Sequence, residues 1–297
     1  MYKIIVFLFC LLGFSAQAIS RIDDTTIPDE PRLTDITIIV SSCDRYSEFW
    51  APFSELLMRY WPSLKTYNKD IPILFIVNKK PFSFDRVQVV STGEDGGWSR
   101  NMLQALKQVK TKYVLYMQED YFLSQTVDEK YLSYLLTKMK QQDIAYIETN
   151  NGSFYAEKYP YPLVKGTEIK GKHVAFRASL QSALWNKDIL EWLIKPKENA
   201  WDFEANASIR SEGLQNPFLV VTPGYFPITF VNACHVGFWN AGALDLLKKE
   251  GIPVQVQMPV DSNYEFTLWL MNKHRKIYKQ WIKVLRLFDP KLRRKKT

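Results

Sequence analysis

Three cysteines in 297 residues (Cys10, Cys43 and Cys234) are too few for a disulfide framework, and their spacing fits no zinc site. At most Cys43 and Cys234 pair, and the sequence leaves that open. The apolar block from Ile4 to Phe14 falls well short of the ~20 residues a spanning helix needs. No internal repeat and no linker divides the chain. Basic charge is also missing from most of it. Eleven Lys and Arg lie between Lys273 and Thr297 against Asp289 alone, so that segment carries +10 of a formal +8 and the first 272 residues carry −2. A nucleic-acid reader spreads basic residues over its folded face, which excludes nucleic acid as a partner. What is present is ordinary globular usage, 46% hydrophobic and 24% charged, which rules out disorder and fibrous repeats. The length suits one large or two average domains. Aromatic residues reach 14%, enough to stack on flat ligands, although a core absorbs them equally well.

The two ends read differently from the middle. Residues 1–20 combine Lys3, the apolar block and the small-x-small sequence Ala16-Gln17-Ala18, the pattern of a cleaved signal peptide, with an N-terminal membrane anchor as the alternative. Near the other end, Ser262 to Glu265 forms a capping box. Beyond it Trp269, Ile277, Trp281, Val284, Leu285 and Phe288 recur at helical spacing among Lys and Arg. This predicts a basic amphipathic helix with a polybasic tail over 261–297. Such a helix either lies on an anionic membrane surface through residues 273–297 or packs on the domain with its basic face solvated. Membrane association is the expected localisation, with its side left open. Asn151-Gly152-Ser153 and Asn206-Ala207-Ser208 are glycosylation sequons if the chain enters a secretory lumen.

Between the ends, strands and helices alternate. Ile36–Val40, Ile73–Val77, Val87–Val90 and Tyr113–Met117 read as strands. Residues 47–61, a segment capped by Ser99 with Met102, Leu103, Leu106 and Val109 on one face, and a segment carrying Leu132, Leu135, Leu136 and Met139 read as helices. This order predicts an α/β fold with a mostly parallel sheet flanked by helices. From Ala145 the pattern loosens into strand-like pieces at 145–149, 174–176 and 219–221 and one helix at Lys187–Leu193. This second half reads as an elaboration of the same sheet.

Ligands of open α/β sheets bind beyond the carboxyl ends of the strands. Three segments fall there: Ser41-Ser42-Cys43-Asp44-Arg45, Gly93 to Asn101, and Gln118-Glu119-Asp120-Tyr121. Two adjacent carboxylates at the tip of a buried strand repel unless a proton or cation separates them, and a hard divalent ion bridging to phosphates does so. The plainer reading is an acidic turn.

The order of these segments resembles the GT-A glycosyltransferases, in particular family 2-like sugar transferases. Val40 to Arg45 resembles the family's first-strand loop, Ser99-Arg100-Asn101 its Ser-x-Arg-Asn-like element, and Tyr113 to Asp120 its strand ending in the DXD motif, with Gln118 in place of the first Asp. Glu204, six positions before Arg210 within Trp201-Asp202-Phe203-Glu204, resembles the later acidic element. The likeness spans roughly 35–240. It implies a GT-A Rossmann-like catalytic domain over 21–260, with a donor half at about 35–125 and an acceptor half at about 145–245.

The resemblance further implies a nucleotide-sugar donor, a glycan or lipid-linked acceptor, an inverting reaction and a divalent metal, Mn²⁺ or Mg²⁺. Asp120 and Glu119 would bind the metal, with His235 as a further ligand. Ser42, Asp44, Arg45, Arg100, Gln118 and Glu119 would bind the donor. Glu204 would be the general base with Asp202 as the second candidate, and Trp201 and Trp239 would contact the acceptor, near Asn240. Ser179 to Trp185 resembles the acceptor-side segment. Two other readings stand beside this one: a non-catalytic glycan- or nucleotide-binding relative whose Gln118 marks a degenerate DXD site, and a membrane-surface protein organised by its basic helix.

Overall fold

The computed structural model describes residues 33–150, 162–235 and 237–261. The leader or anchor at 1–20, the basic helix beginning at Ser262 and the sequon at Asn151 lie outside the described residues. In chain order the elements are β1 (Ile36–Ser41), α1 (Trp50–Tyr60), β2 (Ile73–Val77), β3 (Gln88–Ser91), α2 (Trp98–Leu106), β4 (Tyr113–Gln118), β5 (Tyr121–Leu123) and α3 (Glu129–Gln141). Then follow β6 (Tyr146–Glu148), β7 (Thr167–Ile169), β8 (Ala183–Asn186), α4 (Lys187–Leu193), α5 (Ala200–Ser211), β9 (Phe218–Val221), β10 (Phe230–Asn232), β11 (Cys234–His235), β12 (Phe238–Asn240), α6 (Ala241–Glu250) and β13 (Val260–Asp261). Among the described residues, no helix is long and apolar enough to cross a membrane.

Eight strands form one sheet in the order β3-β2-β1-β4-β8-β6-β9-β7, in which β8 and β7 run against the others. This is the mostly parallel, Rossmann-like sheet that the sequence predicts. Its strands are apolar throughout because both faces are covered. Side chains alternate across the sheet. Ile36, Ile38, Val40, Leu115 and Met117 face one core with Phe53, Leu56 and Leu57 of α1 and Leu132, Leu135 and Met139 of α3. Ile39, Val114 and Tyr116 face the other with Met102, Ala105 and Leu106 of α2 and Phe203 of α5. Each such buried side chain contributes roughly 1.5–3 kcal/mol.

The chain leaves β1 toward β2 and β3 on one side, while β4 lies on the other, so the crevice between β1 and β4 is a topological switch point. Ser41 and Gln118 are register partners at its mouth. Just past Gln118 the chain turns at Glu119-Asp120 and enters β5, which pairs with β10 in a separate two-stranded sheet. The acidic pair therefore sits where the backbone leaves the large sheet.

Three local expectations are corrected. The strand expected at 174–176 does not form: Val174 N–H turns back to the Gly171 carbonyl and Phe176 has φ +58°, a left-handed conformation incompatible with a ladder. The neighbouring strands are β7 and β8 instead. Ser99 does not cap α2, because the helix starts one residue earlier, at Trp98, after Gly97 at φ +83°. The Asp95 carboxylate instead receives Gly97 N–H at 3.0 Å and Asn101 Nδ2 at 2.9 Å, and Ser99 is left in the first turn, fully buried. The helix expected from residue 47 begins at Trp50, and Asp44–Phe49 forms a 3-10 segment before it.

Candidate active site

Four segments meet at the mouth of the switch point. The Glu119 N–H donates to Ser41 O at 3.3 Å and the Ala233 N–H to Asp120 O at 2.7 Å, which pins the acidic turn between the end of β1 and the β10–β11 connection. Burial, and then the Asp120 charge, raise Glu119 well above the usual carboxylate range. Burial likewise pushes Asp120 up to about 7, against the pull of its own and the Cys234 backbone N–H groups. Asp120 Oδ1 is buried and accepts no hydrogen bond. An unmet acceptor beside a second unwilling anion is a site short of positive charge.

Leu180 links this turn to α5. Its carbonyl accepts from Gln118 Nε2 at 3.2 Å and Tyr121 Oη at 2.8 Å, while its N–H donates to Glu204 Oε1 at 2.8 Å. The backbone of one residue thus holds the β4 tip and the Glu204 carboxylate together. Burial raises the proton affinity of Glu204; the Leu180 N–H and the Lys170 charge pull it back, and Glu148 adds to the rise. Asp202 is placed differently. It is exposed and forms a capping box with Asn199, accepting Asn199 N–H at 3.3 Å and donating its own N–H to Asn199 Oδ1 at 3.0 Å. Its carboxylate is committed to starting α5, so Glu204 is the inward-facing acid of this helix. Arg210 is committed too, bridging Glu198 at 2.7 Å.

The loop after β1 is a brace. Against a desolvation penalty, the backbone N–H groups of Lys79, Asn78 and Lys80 and the Lys80 charge hold Asp44 below the usual carboxylate range. Those bonds are 2.8–2.9 Å, and Asp44 N–H donates back to Asn78 Oδ1 at 3.1 Å. Ser42 Oγ accepts Trp50 Nε1 at 2.6 Å. Both side chains shape the loop, and the charged group left exposed on it is Arg45, 5.7 Å from the Tyr46 ring. Arg100 is exposed on the first turn of α2 and lies over Gly96, where an added Cβ would collide with Arg100 Cδ.

The four remaining site residues split. Trp201, in the first turn of α5, is 74% exposed, so its ring is open to a ligand. Trp239 is fully buried, 4.3 Å from the Phe49 ring, with Nε1 donating to Glu48 Oε2 at 2.6 Å. It is a core residue and cannot contact an acceptor. Trp239→Ala is expected to cost ~3–5 kcal/mol in urea unfolding, whereas Trp201→Ala stays within about 0.5 kcal/mol. Asn240 caps α6, accepting Gly242 N–H at 2.9 Å. His235 has its proton affinity lowered by burial and partly restored by Asp261. Successive residues of β11 face opposite sides, and the one beside the acidic pair is Cys234.

The sequence left open whether that thiol pairs with Cys43. Cys43 and Cys234 are both free. Burial, and then Glu119, push Cys43 up to about 11, and burial, then Asp120, raise Cys234 further. Both stay protonated, which makes them poor nucleophiles.

Two carboxylates with an unmet oxygen suit a hard divalent ion completed by water and phosphate oxygens. Among the described residues, no group of three His, Cys, Asp or Glu side chains gathers around one point.

The chain matches no protein-family model and no curated protein sequence. Solved structures with a similar fold include S. aureus TarS 1-349 in complex with UDP-GlcNAc, at 14% identity over 64% of this chain and 57% of that one, with a TM-score of 0.41. The mannosyltransferase PcManGT from Pyrobaculum calidifontis, in complex with GDP-Man and Mn²⁺, aligns at 12% identity over 65% and 56%, with a TM-score of 0.40. The 2-C-methyl-D-erythritol 4-phosphate cytidylyltransferase from Thermus thermophilus aligns at 11% over 72% and 96%, with a TM-score of 0.42. The chain spans 60% of the length of the TarS fragment. The chemistry of the site is therefore read from its own side chains.

Proposed function

We propose that this protein is a transferase that uses a nucleotide-sugar donor and passes the sugar, with inversion, to a hydroxyl of a glycan or lipid-linked acceptor. The observation that supports the reading is the backbone of Leu180, which ties a cation-deficient acidic turn to a buried, proton-hungry carboxylate at the switch point. Asp120 and Glu119 would hold a divalent ion, Mn²⁺ or Mg²⁺, which when bound neutralises the charge that grows on a departing diphosphate.

The remaining work falls to the chain. Arg45, on the loop after β1, and Arg100, on the first turn of α2, are exposed and would offer positive charge to the donor. Gln118 spends its amide on Leu180 O and so fixes the acceptor side of the cleft. Glu204 takes the proton of the acceptor hydroxyl as its oxygen bonds to the anomeric carbon and the sugar–phosphate bond breaks, the electron pair leaving with the nucleoside diphosphate. A carboxyl whose proton affinity is raised toward the working pH is the stronger base for that transfer. The exposed Trp201 offers a stacking face three residues from Glu204. Acceptors at an anionic membrane surface would be met through residues 273–297.

The internal use of Gln118 favours one other reading, a binding protein with a degenerate site. A panel of UDP- and GDP-sugars, with and without Mn²⁺, separates the two. Thermal stabilisation by donor together with Mn²⁺-dependent release of UDP or GDP is expected. Stabilisation without release across the panel would decide for the binding protein.

A further inference from the structure

Beneath Glu204 lies an ion pair that the reaction described above does not use. Lys170, directly after β7, and Glu148, at the end of β6, meet at 2.6 Å with side chains 0% and 4% exposed. Burying two charges costs several kcal/mol per ion unless further hydrogen bonds complete the pair, and apolar replacements of the same volume are often as stable. Here the pair is completed. Glu148 Oε2 also accepts from Tyr146 Oη at 3.1 Å and Ser179 Oγ at 3.3 Å. Tyr146 Oη and Ser179 Oγ are 3.0 Å apart, and Lys170 Nζ lies 5.2 Å from the Tyr146 ring centroid. Ser179 Oγ receives the Gln181 N–H at 3.3 Å. The pair is thereby tied to both flanks of Leu180, the residue that holds Glu204 and the β4 tip.

We propose that the Glu148–Lys170 pair is a positioning device for Glu204: it anchors the Ser179–Gln181 segment that holds the carboxylate and sets two opposed charges in its field. The proposal deepens, and rests on, the reading of Glu204 as the base. Lys170 favours the ionised carboxylate more strongly than Glu148 opposes it. The other groups around α5 are few. Tyr146 and Tyr121 are held protonated by burial. Arg177 donates to the Lys170 carbonyl. Arg100 of α2 is exposed, Lys187 and Asp188 of α4 pair at 3.9 Å and Glu191 follows them. On α5 itself Asp202 is in the cap and Arg210 is on Glu198.

The test is a titration of ¹³Cδ-glutamate-labelled full-length protein, in which the resonance absent from E204Q identifies Glu204. In K170M its midpoint is expected to rise by about one pH unit, in E148Q to lie below that of K170M, and in K170R to return toward wild type. Where a single change unfolds the chain, the E148Q/K170M protein leaves no unpaired charge and carries the same test, its midpoint rising because the stronger influence is lost. Superimposable Glu204 titrations in wild type and either folded Lys170→Met protein would overturn the proposal. The acid limb of kcat/KM is expected to move with the midpoint; a limb that stays fixed while the midpoint moves would overturn the positioning role. The titration needs no donor, so a donor panel without turnover would remove Glu204's role as base while the titration still decides whether the pair governs its carboxyl.

Discussion

Asp120→Asn is expected to lower transfer by about 10²–10³-fold and yet to stabilise the cation-free protein at pH 8. The two effects share one cause. Burial raises Asp120 from 3.8 to about 7, so between those values the folded chain keeps a proton that the unfolded chain releases. Stability then falls as pH rises through that window. Ionising the buried carboxyl costs on the order of 4 kcal/mol once the pH is above it. Asn keeps the shape and never ionises. In EDTA at pH 8 the variant should melt on the order of 5–10 °C above wild type, with the gap narrowing as pH falls below 7 and closing only toward pH 3.8. Mn²⁺ should raise the melting temperature of wild type at pH 8 and leave the variant unmoved. Equal stabilisation of both proteins by Mn²⁺ would take the cation away from this turn.

The donor half was legible because its signals are local. Continuous apolar runs such as Ile36–Val40 and Tyr113–Met117 read as strands covered on both faces, and the acidic pair closely follows the second of them. The acceptor half was harder to read for a physical reason. β8 runs antiparallel between β4 and β6, and no periodicity within Ala183–Asn186 shows which strands it separates. β7 is three residues long and two of them are half-buried, so it leaves almost no pattern.

The site divides in the same way. Glu204 and the β4 tip meet only through the backbone of Leu180, and a main-chain bridge leaves no trace in side-chain identity. Lys170 and Glu148 are 22 residues apart and become partners only when β7 and β6 are both laid beside β9. Trp239 shows the opposite failure. An aromatic next to a polar run looks like a ligand platform, but its ring fills the space between Phe49 and Phe122 and its one polar atom is spent on Glu48. Composition alone does not distinguish it from Trp201, which is open to solvent.

Glu204→Gln is the change that isolates proton transfer from everything else in the cleft. The amide oxygen can still accept the Leu180 N–H, so the link between α5 and the β4 tip is kept while the base is lost. The expected result is a 10²–10⁴-fold fall in kcat with donor KM within about twofold. The wild-type pH profile should carry the signature of the group that is lost. Burial, opposed by the Leu180 N–H and Lys170, leaves Glu204 above its ordinary 4.5. Only the ionised form accepts a proton, so kcat/KM should fall with decreasing pH through a midpoint higher than that of an exposed glutamate. The Gln variant should lose this limb as well as the rate. Measured at saturating Mn²⁺, which would keep Asp120 and Glu119 ionised, its residual activity would then be nearly flat on the acid side. A fall in rate that keeps the acid limb intact would move the base to another residue. Loss through donor KM instead of kcat would make Glu204 a binding group, and the inverting mechanism would lose its proton acceptor.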